Sequence, residues 1–140
     1  MLFYTTPVPR AVFQLMPQLK DAEIRVLFLI VHKTLGWKDQ KGKTKTGKKE
    51  TDWIAGSQFR SGTSLSQRAI GIAIESLFVK GHIIVMDDRG TVLDTPAKRK
   101  GKARMYYRLS PGLMPACEDY SQYIGKRIAD LAKKVRITSY

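Results

Sequence analysis

Cysteine is nearly absent from this chain of 140 residues, and a lone Cys117 cannot form an internal disulfide. A single thiol favours a reducing, cytoplasmic compartment. The only histidines are His32 and His82, and Cys117 has no CxxC partner, so the chain has too few ligands for a zinc site and too few groups for Cys–His catalysis. We therefore expect no metal and no cofactor, while the sequence leaves the role of Cys117 open.

Long apolar runs and phosphate-binding glycine loops are also lacking. No run of eighteen apolar residues occurs, so we expect no membrane span. The N-terminal MLFYTTPVPR has no basic segment followed by an apolar one, so we expect no signal peptide. The GxxxxGK[ST] spacing does not occur, and Asp87, Asp88 and Asp94 fall in a predicted turn or ribbon. We therefore expect that the protein is not an enzyme.

Acidic residues are scarce relative to basic ones. Twelve Asp and Glu accompany 25 Lys and Arg, which gives a formal net charge of +13. A field of this sign attracts polyanions, either nucleic acid or an anionic membrane surface. The basic residues cluster in two predicted loops, the first basic segment (38–49) and the second basic segment (96–104). As DNA-contacting residues we select Lys43, Lys45, Lys48 and Lys49 from the first, and Lys98, Arg99, Lys100, Lys102 and Arg104 from the second.

Apolar periodicity predicts the helices. Residues 21–35 begin at a candidate N-cap, Asp21, and end at Gly36, with an apolar face of Ile24, Leu27, Phe28, Val31 and Leu35. RAVFQLM and AGSQF each predict one or two helical turns, and Ser61 and Gly62 break the second. A further helix has Ser64 or Ser66 as its cap and ends at Gly81. Its predicted inner face is Ile70, Ala73, Ile74 and Leu77.

Alternating apolar residues predict a small β-ribbon. HIIVMDDRGTVLDT indicates strand, turn and strand, with Asp88, Arg89 and Gly90 at the bend, and MYYRLS indicates another strand. Trp53 and Ile54 suggest a short strand or the start of a helix. The fold class is therefore mainly α with a small β-ribbon (α+β), in the element order of a winged helix-turn-helix. We divide the chain into a domain over residues 1–110 with an N-terminal arm, and a connector with an amphipathic helix over residues 111–140.

The helix after Thr63 is expected to expose its first turn, because its apolar positions begin only at Ile70. Gln and Arg side chains reach base edges in a major groove, and serine hydroxyls reach phosphates. The second basic segment suits a phosphate backbone or a narrow minor groove. Salt-sensitive binding to duplex DNA is expected. The selected DNA-contacting residues of the two helices are Ser57, Gln58, Arg60, Ser64, Ser66, Gln67, Arg68 and Gly71.

The C-terminal helix predicts a contact surface. Its apolar face consists of Ile124, Ile128, Leu131 and Val135. In a homodimer, this face would pack against Phe78 and Val79 of the second copy. The alternative is that the face packs within its own chain. A third hypothesis makes the protein a basic protein-interaction module that uses this helix as its contact.

Four blocks, VPRAVFQLM, LKDAEIRVLFLIVHKTLGW, DWIAGSQF and TSLSQRAIGIAIESLFVKGHI, resemble the N-terminal domain of the bacteriophage replication protein O family. The resemblance spans about residues 7–109. It implies a winged helix that binds duplex origin repeats, commonly as a dimer, with Ser66, Gln67 and Arg68 where the recognition helix meets DNA. The family often continues into a second domain that recruits a helicase or its loader.

The resemblance implies a replication initiation or accessory protein of a phage, plasmid or integrative element. Such a protein would act in the cytoplasm of a bacterial cell or an infected host, associated with the nucleoid through DNA. Replisome or relaxosome proteins are the implied partners. The alternative is a winged-helix transcriptional regulator, because one fold serves both functions.

Overall fold

A computed structural model describes residues 5–42, 44 and 47–114. The helices in these residues are α1 (Arg10–Leu15), α2 (Asp21–Leu35), α3 (Gly56–Thr63), α4 (Gln67–Val79) and α5 (Pro96–Arg99). Single 3₁₀ turns occupy Met16–Gln18 and Pro111–Leu113. The strands are β1 (Asp52–Trp53), β2 (Ile83–Met86) and β3 (Tyr106–Leu109). This composition confirms the α+β class.

Helix α2 lies at the centre of the molecule. Its buried apolar residues are Val26, Leu27, Ile30, Val31 and Leu35. The predicted apolar face was partly wrong, because Ile24 and Phe28 are only half-buried at its edge. The predicted N-cap was wrong by one residue, since Lys20 is the cap and Asp21 begins the helix. Gly36 ends α2 as predicted.

The three strands form one antiparallel sheet in the order β1–β3–β2. Asp52 pairs with Tyr107 on one side of β3, and Val85 pairs with Tyr107 on the other. The strand predicted after the bend makes only an isolated bridge, Met86 to Val92. The ribbon prediction is therefore confirmed for β2 and β3. The strand predicted after the bend, which lies between them in sequence, is reduced to that one bridge.

The second basic segment begins with a short helix rather than a continuous loop. Thr95 caps α5, because its side chain accepts a hydrogen bond from the Lys98 N–H at 3.3 Å, and Pro96 occupies the first helical turn. Proline suits that position, where its missing N–H would have no partner within the helix. The loop prediction for residues 96–99 was therefore wrong.

The core lies between the helices and the inner face of the sheet. Phe59 packs edge-on against Tyr107, with ring centroids 5.0 Å apart. Burial raises the pKa of Tyr107 to about 12. Leu113 and Met114, at the start of the predicted connector, pack against the same core. The predicted C-terminal helix with Ile124, Ile128, Leu131 and Val135 lies outside the described residues, as does Cys117.

None of the helices in the described ranges is both long and apolar enough to cross a membrane.

A buried carboxylate joins α2 to α4. Glu23 is 2% exposed, and its Oε1 accepts a hydrogen bond from the Lys20 N–H at 2.8 Å. The Ser76 hydroxyl donates to Oε2, and the Lys80 ammonium lies 3.1 Å from the same oxygen. Burial raises the pKa of Glu23, but these hydrogen bonds and the Lys80 charge outweigh burial and lower the pKa below its usual value of 4.5. The ionised carboxylate therefore stabilises the packing of α4 on α2.

Replacing this carboxylate should destabilise the fold. We expect Glu23→Gln to lower the free energy of unfolding by about 1–3 kcal/mol, because an amide cannot accept all of these hydrogen bonds. Since folding lowers the pKa of Glu23, its stabilisation is full above pH 4.5 and is lost as the pH falls through the lower folded value. Denaturant unfolding between pH 3 and pH 7 measures both effects, and the variant should lose part of the acid dependence. Asp21→Asn, an exposed change on the same turn, is the control, and an equal loss in it would contradict the assignment.

Candidate nucleic-acid interface

A three-residue connection, 64–66, separates α3 from α4. Ser64 ends α3 in the left-handed conformation, with φ 59° and ψ 24°. The buried Thr63 hydroxyl donates to the Phe59 carbonyl at 2.6 Å and accepts from the Leu65 N–H at 3.2 Å. The Ser66 side chain accepts from the Ala69 N–H at 3.1 Å, so Ser66 is the cap of α4. The choice left open between Ser64 and Ser66 is therefore settled in favour of Ser66.

Helix α4 divides into a buried face and an exposed face. The predicted inner face is confirmed, since Ile70, Ala73, Ile74 and Leu77 are all buried. Gln67, Arg68 and Gly71 are exposed, and so is Ile72, at 61%. The first two turns of α4 therefore present two hydrogen-bonding side chains, a glycine and an isoleucine to solvent.

The C-terminal end of α4 is fixed by a glycine. Gly81 has φ +80°, which favours glycine, and its N–H donates to the Phe78 carbonyl at 3.0 Å. The His82 N–H donates to the Leu77 carbonyl at 2.9 Å. This pair of bonds is the Schellman arrangement, and it turns the chain directly from α4 into β2.

Arg99 fastens α5 to α4. Both of its terminal guanidinium nitrogens donate to Oε2 of Glu75, and Nε donates to the Leu93 carbonyl at 3.1 Å. The guanidinium also lies 5.3 Å from the ring centroid of Phe78. The Arg99 side chain is only 9% exposed, so its charge is engaged within the protein. We predicted a DNA contact for Arg99, and the structure places its guanidinium against Glu75 and Phe78, where it holds α5 on α4.

A groove of about 560 Å³ runs between α4 and the second basic segment. Arg68, Gly71 and Ile72 line it from α4, and Lys100 lines it from the other side. Tyr107 from the central strand also contributes to the groove. The exposed face of α4 and a lysine of the second basic segment thus border one concave surface.

The remaining cations of the second basic segment are exposed. Lys98 pairs with Asp94 at 2.7 Å, and both side chains are more than half exposed, at 57% and 55%. Lys100 and Lys102 are exposed as well. The Arg104 guanidinium lies 4.9 Å from the ring centroid of Trp53. Four basic side chains of this segment are therefore accessible to a polyanion.

The described residues of the first basic segment lie at the opposite end of the sheet. The second basic segment enters β3 at Tyr106, whereas the first leads into β1, which runs antiparallel to β3. The first segment borders a surface pocket shared with Arg108, near the other end of β3. Lys48 bridges to the backbone of Lys38. Among the residues that the structure describes, the two basic segments are therefore not brought together.

Individual lysines of the first basic segment differ in their surroundings. Lys49 pairs with Asp52, with Nζ 2.9 Å from Oδ1. Lys43 and Lys45, which we also selected, lie outside the described residues.

The selected residues of α3 comprise two exposed residues and one residue with a local structural role. Ser57 and Arg60 are exposed. Gln58 has a local structural role, because its Oε1 accepts a hydrogen bond from the Ala55 N–H at 2.9 Å at the start of α3.

The carboxylates near the bend have structural partners. Asp87 Oδ1 accepts hydrogen bonds from the Thr91 and Arg89 N–H groups, each at 2.9 Å, and the Thr91 bond is the main cause of its lowered pKa. The hydrogen bond from Lys98 is the main cause of the lowered pKa of Asp94. Within the described ranges, no three His, Cys, Asp or Glu side chains are grouped to hold a metal ion.

Two features of the site were missed at the level of sequence. The ion pair between Glu75 and Arg99 joins residues 24 positions apart, and no sequence pattern predicts it. Helix α5 did carry a signal, since threonine followed by proline is typical of a helix start. Comparisons of the chain with family models, with curated proteins and with solved structures found no match.

Proposed function

We propose that the protein is a sequence-specific duplex DNA-binding protein with a winged helix-turn-helix. In this assignment α3 and α4 are the helix-turn-helix, α4 is the recognition helix, and the segment between β2 and β3 is the wing. The observation that carries the proposal is the groove that Arg68 of α4 and Lys100 of the second basic segment both line. A major groove admits a helix, and a basic wing beside it suits the phosphate backbone.

The biological role we propose is replication initiation, or an accessory step of it, for a phage, plasmid or integrative element. The support is the likeness of the four sequence blocks to the replication protein O family and the formal charge of +13. A transcriptional regulator of the same shape is the second candidate, because DNA recognition by a winged helix serves either process. A homodimer and contacts with replisome or relaxosome proteins in the cytoplasm belong to the same proposal.

Selection of DNA fragments by the purified full-length protein tests this proposal. Fragments of the native replicon are mixed with the protein, and the bound fragments are sequenced and footprinted. Protection of repeats at an origin supports the replication role, and protection of a promoter supports the regulator. If no fragment is bound in a salt-sensitive manner, the protein-interaction hypothesis replaces the DNA-binding one.

The salt dependence of binding separates the positioning role of Arg99 from a phosphate contact. We expect Arg99→Met to leave the slope of log affinity against log salt unchanged, because Glu75 already neutralises this guanidinium. Lys100→Met, at the next position, should reduce the slope by about 0.9, the value for one phosphate contact. Filter binding at several salt concentrations measures both slopes. If Arg99→Met also reduces the slope, and this reduction adds to that of Lys100→Met in the double variant, Arg99 contacts phosphate after all.

A further inference from the structure

A large apolar side chain stands where a solvated helix would carry a polar one. Ile72 is 61% exposed and follows Arg68 by four residues, which places both on one face of α4. The burial pattern agrees, because the buried residues Ile70, Ala73 and Ile74 lie on the other side of the helix. An exposed isoleucine beside an arginine in a groove calls for a ligand with both an apolar group and polar atoms.

The backbone beside Ile72 is open to close approach. A Cβ added at Gly71 would meet nothing within 4 Å among the described residues, so these residues leave the space next to this turn open. Gly71, Ile72 and Arg68 line the same groove, with Lys100 on its other side. Glu75 also lines the groove, but its charge is paired with Arg99. The net charge along this surface is therefore positive, which suits a polyanion better than an apolar protein helix.

We propose that Ile72 is a specificity-determining residue that contacts the 5-methyl group of a thymine in the major groove. This inference rests on the proposed function, because it takes α4 as the recognition helix. Among the major-groove edges of the four bases, thymine is the one that presents a methyl group, and apolar side chains contact it. Arg68, one turn earlier on the same face, contacts a neighbouring base pair, so the two side chains read adjacent positions of one site.

Deoxyuridine provides a direct test, because it differs from thymidine only by the missing methyl group. The probe is the duplex selected by the full-length protein, with each thymine replaced in turn by deoxyuridine. At one position we expect the wild-type affinity to fall about fourfold, the factor for one buried methyl-sized group at about 0.8 kcal/mol. Ile72→Ala should bind the thymine and deoxyuridine duplexes equally well. Its unfolding temperature should match that of the wild type, since Ile72 is exposed.

A matched control lies on the same helix. Val79 is 71% exposed and is two turns beyond Ile72, outside the groove beside Arg68. We expect Val79→Ala to keep the full wild-type ratio of affinities for the thymine and deoxyuridine duplexes, also where a weaker homodimer lowers both affinities. This result would show that the preference depends on Ile72 and not on the apolar character of α4 in general.

Several outcomes would overturn the inference. These are a selected site without an invariant thymine, a site at which deoxyuridine has no effect, and a thymine preference that survives in Ile72→Ala. A loss of self-association in Ile72→Ala, with equal weakening on both duplexes, would assign Ile72 to contact with a second copy. If Ile72→Ala weakens binding to both duplexes equally and self-association does not change, Ile72 is assigned to a contact with residues 115–140. If the wild-type protein binds no duplex at all, this result would instead contradict the proposed function.

Discussion

Affinity for duplex DNA is expected to fall about 150-fold between 50 and 200 mM salt, if the four accessible cations of the second basic segment each displace about 0.9 counterion. The four are Lys98, Lys100, Lys102 and Arg104. This result follows from the geometry, because all four side chains are exposed and Lys100 among them lines the groove beside α4. Fluorescence anisotropy with a random duplex of fixed length is the measurement.

The first basic segment provides the control for this titration. Lys41→Ala should leave the salt slope unchanged, since Lys41 lies at the opposite end of the sheet from α5. If the first segment also contacted the same duplex, the total would rise to about six to ten phosphate contacts, and the loss over this salt range to about 10³–10⁵-fold. A flat titration would contradict the phosphate role of both segments.

Arg68→Ala is expected to weaken binding to the selected site by about 1–3 kcal/mol, or roughly tenfold to a hundredfold, with little change on random DNA. The reason is that an arginine can donate two hydrogen bonds to a guanine edge, and this contact exists only at the correct base pair. Arg68 is exposed at the start of α4, and no hydrogen bond or ion pair holds it elsewhere among the contacts within the described residues. Paired affinity measurements on the two duplexes at one salt concentration give the result.

Lys100→Ala is the matched control for Arg68→Ala. Lys100 lines the same groove, but a phosphate contact carries no sequence information, so this variant should weaken the two duplexes about equally. The recognition assignment for Arg68 is wrong if Arg68→Ala behaves in the same way while its unfolding curve matches that of the wild type.

Helices α2 and α4 and strands β2 and β3 could be predicted because each buries one face. Helix α5 was predicted as a loop, and the predicted break at Ser61 and Gly62 was wrong, because α3 continues through both residues. The spacing of Ile70, Ala73, Ile74 and Leu77 predicted the inner face of α4 residue by residue, since a helix brings these positions to one side. Alternation predicted β2 and β3 for the same reason. By contrast, Ile24 at the edge of α2 is only half-buried, because apolar spacing shows that a face exists but not how far its neighbours cover it.

The contacts that shape the site could not be predicted because they are long-range. Glu23 meets Ser76 and Lys80 across more than fifty positions of sequence, and only the packing of α2 on α4 makes them neighbours. The second basic segment was predicted to contact DNA because of its charge. Charge alone does not indicate that the Arg99 side chain packs against Glu75 instead of pointing into solvent. The separation of the described residues of the two basic segments depends on the antiparallel pairing of β1 with β3, which alternation within single strands does not determine.

The position of β3 in the middle of the sheet has a consequence for the order of folding. β1 and β2 each pair with β3, and β3 is the last strand along the described chain. During synthesis the sheet can therefore begin to form only when Tyr106 has left the ribosome, although Trp53, its partner in β1, emerged much earlier. Until then β1 and β2 are unpaired strands, which are open to pairing with other chains. Nascent chains that stall before Tyr106 should therefore be the ones most prone to aggregate.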